Sequence, residues 1–200
     1  MILNRDDIAK LLNNPNTDEA LIITPLLDED GQLNPCSIDL RLGCEFLVSV
    51  QTREPVIDWA SDTRPVTTFF QETYRDIGDK FILYPGQLVL ANTLEYIKIP
   101  NDIFCNVVTR SSWHRVGISV VGIVQPGYRG TISIELFNHS QNAIALYPGM
   151  RIIQLILFKT PHPLESGYAD KATAKYVANI TNQVAALSVD REINIIMGFK

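Results

Sequence analysis

Hydrophobic positions near the start of the chain fall at helical spacing, and almost everywhere after residue 20 they alternate or run in short blocks. In "RDDIAKLL" Ile8, Leu11 and Leu12 share one face, Asp6 and Asp7 occupy a first turn, and Asn4 stands where an N-cap belongs, so a short amphipathic helix is predicted. From "LIITPLL" onward, runs rich in Val, Ile, Leu and Phe are separated by turn residues at close spacing. The candidate strands are "SIDLRL", "CEFLVSV", "KFILY", "QLVLANTLEYIKI", "IFCNVV", "GISVVGIV", "TISIELFN", "AIALY" and "RIIQLILF". That pattern predicts a mainly β chain, a sandwich or barrel. The polar stretch Gln51 to Gly78 reads as an irregular excursion from it. Two echoes, "LYPGQLVLAN" from Leu83 and "LYPGMRIIQL" from Leu146, place Pro-Gly between strands. Proline fixes φ at the second turn position and glycine accepts positive φ at the third, so two type II corners are predicted.

Composition narrows the class. The 200 residues, 46% of them hydrophobic, can bury a substantial core, and no low-complexity linker divides them. One domain over 1–200 is expected, with 160–200 as a C-terminal tail or lid. The formal charge is -5 without a long block of like charge, so no nucleic-acid partner is expected and any anion site must be local. Cys36, Cys44 and Cys105 are scattered and lack a C-x-x-C pair, which argues against a disulfide framework or a structural zinc site. "MILNRDDIAKLL" lacks the features of a signal peptide and no run approaches the ~18 apolar residues of a membrane helix. A soluble cytoplasmic protein with no membrane partner is expected.

Candidate chemistry gathers in four places. "RSSWHR", Arg110 to Arg115, offers two guanidiniums, two hydroxyls and successive backbone N–H groups, a compact cradle suited to phosphate oxygens or simply a surface turn. In "TISIELFN" alternation sends Thr131, Ser133 and Glu135 to one face and Ile132, Ile134 and Leu136 to the other, so the acid lines a polar groove, a subunit contact or solvent. "CSIDLRLG" sets Ser37, Asp39 and Arg41 on one strand face, wet or ion-paired. "GYADKATAKY" carries Tyr168, Lys171, Lys175 and Tyr176 after the last strand, either as a mobile tail or as a lid over phosphates.

Together these segments resemble the dCTP deaminases of the dUTPase-like trimeric superfamily. The likeness runs through "SIDLRLGCEF", "FILYPGQLVLANTLEYIKIPNDIFCNVVTRSSWHRVGI", "QPGYRGTISIELFN", "LYPGMRIIQLILF" and "YADKATAKY". It implies a distorted β-barrel of the β-clip type with a short N-terminal helix and a C-terminal lid, assembled as a homotrimer whose sites are shared between chains. It also implies hydrolytic deamination of dCTP to dUTP, with a deoxycytidine nucleotide as substrate. Glu135 would be the catalytic acid–base, Ser111 would position the water and Arg115 would support the charged constellation. Arg110, Ser112, Val121, Gln125, Tyr168, Lys175 and Gln183 would contact the nucleotide, whose triphosphate carries Mg2+. No protein-bound metal is implied, and the H-x-E and P-C-x-x-C pattern of zinc deaminases is absent. dTTP is the implied feedback inhibitor.

Three positions depart from the superfamily pattern. Gln125 stands where trimeric dUTPases carry a water-activating aspartate, and an amide cannot act as that base, so dUTP hydrolysis is disfavoured. Val120 and Val121 replace the small pair that precedes the Pro-Gly corner in the deaminases, and both branched side chains are expected to crowd the water site. The alternatives to a deaminase are a dUTP or dCTP hydrolase, alone or bifunctional, and a nucleotide-binding regulator without turnover.

Overall fold

The structure is a computed structural model that describes residues 1–53 and 66–170, with Thr181, Val184 and Gly198 besides. Helix α1 spans Arg5–Leu12. Asn4 caps it as expected, its Oδ1 accepting from the Asp7 N–H at 2.9 Å, and Ile8 is fully buried beneath it. The described strands are β1 (Ile22–Thr24), β2 (Leu33–Asn34), β3 (Ser37–Ser49), β4 (Phe70–Tyr74), β5 (Phe81–Leu83), β6 (Leu88–Lys98), β7 (Ile103–Thr109), β8 (Ile118–Ser119), β9 (Val121–Val124), β10 (Arg129–Asn138), β11 (Ile144–Leu146) and β12 (Arg151–Lys159). Two short helices, α2 (Glu29–Gln32) and α3 (Ser111–Arg115), and 3₁₀ turns at Val66–Phe69 and Tyr168–Asp170 complete the framework.

The expected mainly β architecture is observed. The main sheet runs β8-β10-β6-β3-β12-β7-β9, every neighbouring pair antiparallel. Its two outermost strands, β8 and β9, are separated in sequence by Val120 alone. One residue spans only about 3.3–3.6 Å of chain, so the two edges must meet and the sheet must curl into a barrel. Val120 is the corner, its side chain 4% exposed in the core. Thr109, at the end of β7, latches it: the Val120 N–H donates to Thr109 Oγ1 at 2.6 Å, and that hydroxyl donates to the Val120 carbonyl at 3.2 Å.

Inside the barrel, inward residues of β3, β10 and β12 make a continuous apolar core that includes Leu40, Leu42, Ile134, Leu136, Leu155 and Leu157. Phe46 stacks on Phe81 with ring centroids 4.1 Å apart. The echoed corners behave as predicted. Gly86 and Gly149 have φ of 68° and 88°, and Gln87 N and Met150 N donate to Tyr84 O and Tyr147 O across them. The strands leading into the two corners, β5 and β11, pair with each other as a small second sheet.

Two expectations need correction. "SIDLRL" and "CEFLVSV" form one 13-residue strand, β3. The excursion from Gln51 to Gly78 is not irregular throughout, because β4 pairs with β3 from Glu45↔Tyr74 to Ser49↔Phe70. β4 is an edge strand whose "FQETY" is largely exposed, so it carries little of the hydrophobic signal that marks a strand in sequence.

A buried carboxylate between α2 and the sheet is held by hydrogen bonds. Glu95 is fully buried, and its carboxylate accepts from Gln32 Nε2 at 3.1 Å and from the Arg41 backbone N–H at 2.9 Å. Burial holds that carboxyl above the usual range, against the opposing effect of those hydrogen bonds.

The latch at the corner sets a stability test. Thr109→Val keeps the shape but removes both hydrogen bonds to Val120, leaving its N–H without an acceptor in a partly buried place. Urea denaturation should show a loss of about 1–3 kcal/mol for Thr109→Val, and a smaller loss for Thr109→Ser, which keeps the hydroxyl.

Candidate active site

Barrel closure brings β9 and β10 together around a cavity of about 770 Å³. β9 supplies Val121, Gly122, Ile123 and Val124, and β10 supplies Ile132, Ser133 and Glu135. Leu88 and Leu90 of β6 and the segment Val66, Phe69 and Phe70 add apolar wall. Gln125, Tyr128 and Tyr168 close one end. A largely apolar cleft with a few convergent polar groups is the usual form of a small-molecule site.

Glu135 sits where the strand alternation put it, between the fully buried Ile134 and Leu136, with its own side chain turned to the cavity. The residue is exposed on that side, and the protein packed around part of its carboxyl pushes the carboxyl above the usual range. Among the described residues no cation pairs with it. Thr131 departs from the expected polar face, being 8% exposed. β10 and β6 lose register there: Thr131 lies opposite Tyr96 and Ser133 opposite Asn92, so two residues of β10 advance against four of β6. The extra residues on β6 form a bulge, and Thr93 Oγ1 accepts the displaced Ile132 N–H at 2.9 Å.

The two valines separate. Val121 is 80% exposed and lines the cavity, whereas Val120 points into the core. The expectation that both crowd the site is thus corrected: the barrel corner rotates Val120 away, and only Val121 faces a ligand.

Gly127 and Gly167 seat the far end. Gly127 has φ of 78°, and a Cβ there would stand 2.5 Å from the Gly167 Cα. This close approach lets the Tyr168 N–H donate to Pro126 O at 2.7 Å and brings the Tyr168 ring within 6.1 Å of Tyr128. Tyr128, itself 8% exposed, donates its hydroxyl to Thr131 O at 2.6 Å, and burial raises the phenol above its ordinary value.

The remaining expected residues lie elsewhere. Ser111, Ser112 and Arg115 are exposed on α3, outside the cavity, and Arg110 precedes them, half-buried. The chain after α3 is tied to the end of β10, where the His139 N–H donates to Gly117 O at 2.8 Å. Glu135 lies four residues back along the strand, roughly 14 Å away. One chain therefore brings Glu135, Val121, Gln125 and Tyr168 together and leaves Ser111, Ser112, Arg115 and Arg110 apart from them. Arg115 makes no ion pair among the described residues. Lys175 and Gln183 lie outside the described residues. Among the described residues no group of three or more His, Cys, Asp or Glu is arranged to hold a metal ion, and no helix is long and apolar enough to cross a membrane.

Sequence reasoning left Ser133, Tyr128 and the apolar segment Val66–Phe70 out of the site. Ser133 was visible as the alternation partner of Glu135. Tyr128 was visible beside the Pro126–Gly127 corner, but the approach of Val66–Phe70 depends on tertiary packing.

The barrel is the fold of a solved deaminase. The crystal structure of 2'-deoxycytidine 5'-triphosphate deaminase from Agrobacterium tumefaciens is similar with a TM-score of 0.58 at 23% identity, over 78% of this chain and 47% of that one, so this chain spans about half its length. Residues 2–160 match the model of the family described as dCTP deaminase-like. The chain is 38% identical over 195 residues to the dCTP deaminase of Natronomonas pharaonis, covering 96% of this chain and 97% of that one. It is also 38% identical over 197 residues to the dUMP-forming dCTP deaminase of Dictyoglomus turgidum, covering 95% and 96%. This chain belongs to the dCTP deaminase-like family.

The Gly127–Gly167 contact can be checked directly. In Gly167→Ala the new Cβ meets Asn101 Oδ1 at 2.5 Å and the Gly127 Cα at 2.8 Å. The turn carrying Tyr168 should lift, and the Tyr168 amide, protected in the parent by Pro126 O, should exchange with deuterium at the rate of an unprotected amide.

Proposed function

We propose that this chain hydrolytically deaminates dCTP, bound as its Mg2+ complex, to dUTP and ammonia. The observation that carries the reading is a single carboxylate, Glu135, facing a nucleotide-sized cavity on a barrel of the dCTP deaminase-like family. A carboxylate raised toward neutral pH is a better base than a free one and can return the proton it takes. In this mechanism Glu135 takes a proton from water as the oxygen attacks C4 of cytosine, and delivers it to N3. A second proton passes through Glu135 from the C4 hydroxyl to the exocyclic amine, the C–N bond breaks, and ammonia leaves as the C4 carbonyl forms.

Ser111 and Arg115 reach this centre from a neighbouring chain. The proposed assembly is a homotrimer in which α3 of one copy meets the cavity of the next, supplying a hydroxyl to position the water and a guanidinium to balance the charge. Arg110 and Ser112 then take phosphate oxygens, with Tyr168, Lys175 and Gln183 closing over the nucleotide and Val121 and Gln125 against the base. A competing triphosphate such as dTTP is accommodated by the same phosphate contacts, giving a route to feedback.

A second reading has its own support. The Dictyoglomus relative is named dUMP-forming, so deamination followed by loss of diphosphate is the alternative outcome. Gln125 speaks against a water-activating aspartate at that position, and product analysis decides between the two. Incubation with dCTP and Mg2+ should yield ammonia and dUTP in equal amounts. dUMP and diphosphate would favour the bifunctional reading, and no product from any deoxynucleoside triphosphate would sink both.

Glu135 also sets the pH dependence. Its carboxyl must be ionised to accept the first proton, and its value is raised. The acidic limb of kcat/KM should therefore lie above the pH at which an ordinary carboxylate titrates, activity rising with pH across it. Glu135→Gln should lower turnover roughly 10²- to 10⁴-fold while nucleotide binding persists.

A further inference from the structure

Asp39 is a charge the mechanism has not used. It lies in β3, 1% exposed, in the only described cluster where one buried carboxylate meets two arginines from distant parts of the chain. Its Oδ1 accepts from Asn34 Nδ2 at 2.8 Å and from Gln154 Nε2 at 3.2 Å. Its Oδ2 lies 2.8 Å from Arg110 Nε and 3.6 Å from Arg151 Nη1, as ion pairs off the hydrogen-bond axis. Arg151 is held in turn by Gly31 O. The Arg151 carbonyl accepts from Arg110 Nη1 at 3.2 Å and from Trp113 Nε1 at 2.9 Å. The Arg110 guanidinium is thereby fixed along Nε and Nη1, while Nη2 has none of these contacts and the side chain keeps 29% exposure.

We infer that Asp39 is a positioning residue, which aims the free edge of the Arg110 guanidinium at the nucleotide phosphates before the nucleotide arrives. The inference rests on the reading of Arg110 as a phosphate ligand. An unheld arginine must surrender much of its rotamer freedom on binding, and a guanidinium clamped by a buried carboxylate has surrendered it already. The surplus of cationic charge supports the same function: two arginines face one carboxylate, so the cluster retains net positive charge for an anion.

The isosteric Asp39→Asn isolates this contact. Its carbonyl oxygen can still accept from Asn34 and Gln154, while its amide turns two donors toward Arg110 and Arg151, where the carboxylate stood. KM for dCTP should rise about ten- to a hundredfold with kcat little changed, the signature of lost ground-state and transition-state binding alike. Arg110→Ala should raise KM at least as far, and Asp39→Asn added to Arg110→Ala should raise it no further, because the two residues act as one unit. Additive effects of the two substitutions would overturn the positioning role and leave Arg110 as a phosphate ligand. An unchanged KM in Arg110→Ala would overturn both. Should Asp39→Asn fail to fold, the Nε–H resonance of Arg110 in the nucleotide-free parent, assigned by its loss in Arg110→Lys, answers the same question. Slow exchange with solvent is expected, and the rapid exchange of a free arginine side chain would contradict the proposal.

Discussion

The single residue between β8 and β9 is the constraint on which the rest of the molecule depends. With Val120 alone to span them, the two edges of the sheet have nowhere to go but together, and the antiparallel order β8-β10-β6-β3-β12-β7-β9 becomes a barrel. Closure has three consequences at once. It brings the outer strands β8 and β9 to one corner, where Thr109 latches Val120. It buries Val120 and turns Val121 outward. It sets β9 beside the outward face of β10, so that the cavity and the carboxylate of Glu135 arise from the same geometric fact.

The same closure divides the charges. Glu135 sits in a mostly apolar cleft with no cation paired to it among the described residues, whereas Asp39 sits in the barrel wall between two arginines. Arg115 and the two serines of α3 stand outside, at the end of β10 and away from the acid. On the proposed reading, an acid and a cation that are each unpaired among the described residues, on different faces of one chain, would complement each other across a symmetric interface. Glu135 facing its cavity and Arg115 exposed on α3 are then two halves of one arrangement.

Much of this is legible in the order of the residues. The alternation Ile134, Glu135, Leu136 is enough to aim the acid away from the core, since side-chain direction in a strand has period two. The Pro-Gly echoes and the Asn4 cap are local chemistry and read correctly. What escapes the sequence is non-local. The bulge that buries Thr131 is caused by residues on β6, some 40 positions earlier in the chain. Val120 and Val121 are adjacent and chemically identical, and only the corner between two sheet edges distinguishes a core residue from a cavity residue. Asp39 looks like a polar strand position because its partners, Arg110 and Arg151, sit beside it in space but come from the end of β7 and from β12, far along the chain. Strand β4 is hidden for the opposite reason: an exposed edge strand is under little pressure to look hydrophobic.

The claim that one chain holds only half of the chemistry is tested most directly by subunit mixing. Glu135→Gln chains keep an intact α3, and Ser111→Ala chains keep an intact cavity, so each variant alone should be nearly inactive on dCTP. If α3 of one chain serves the cavity of the next in a trimer, co-refolding the two in equal amounts should restore up to about a quarter of the parental activity, because random assembly juxtaposes the two intact halves at that frequency. A mixture that remains as inactive as its components, in particles shown to contain both variants, would contradict the account and place Ser111 and Glu135 in the same subunit's site.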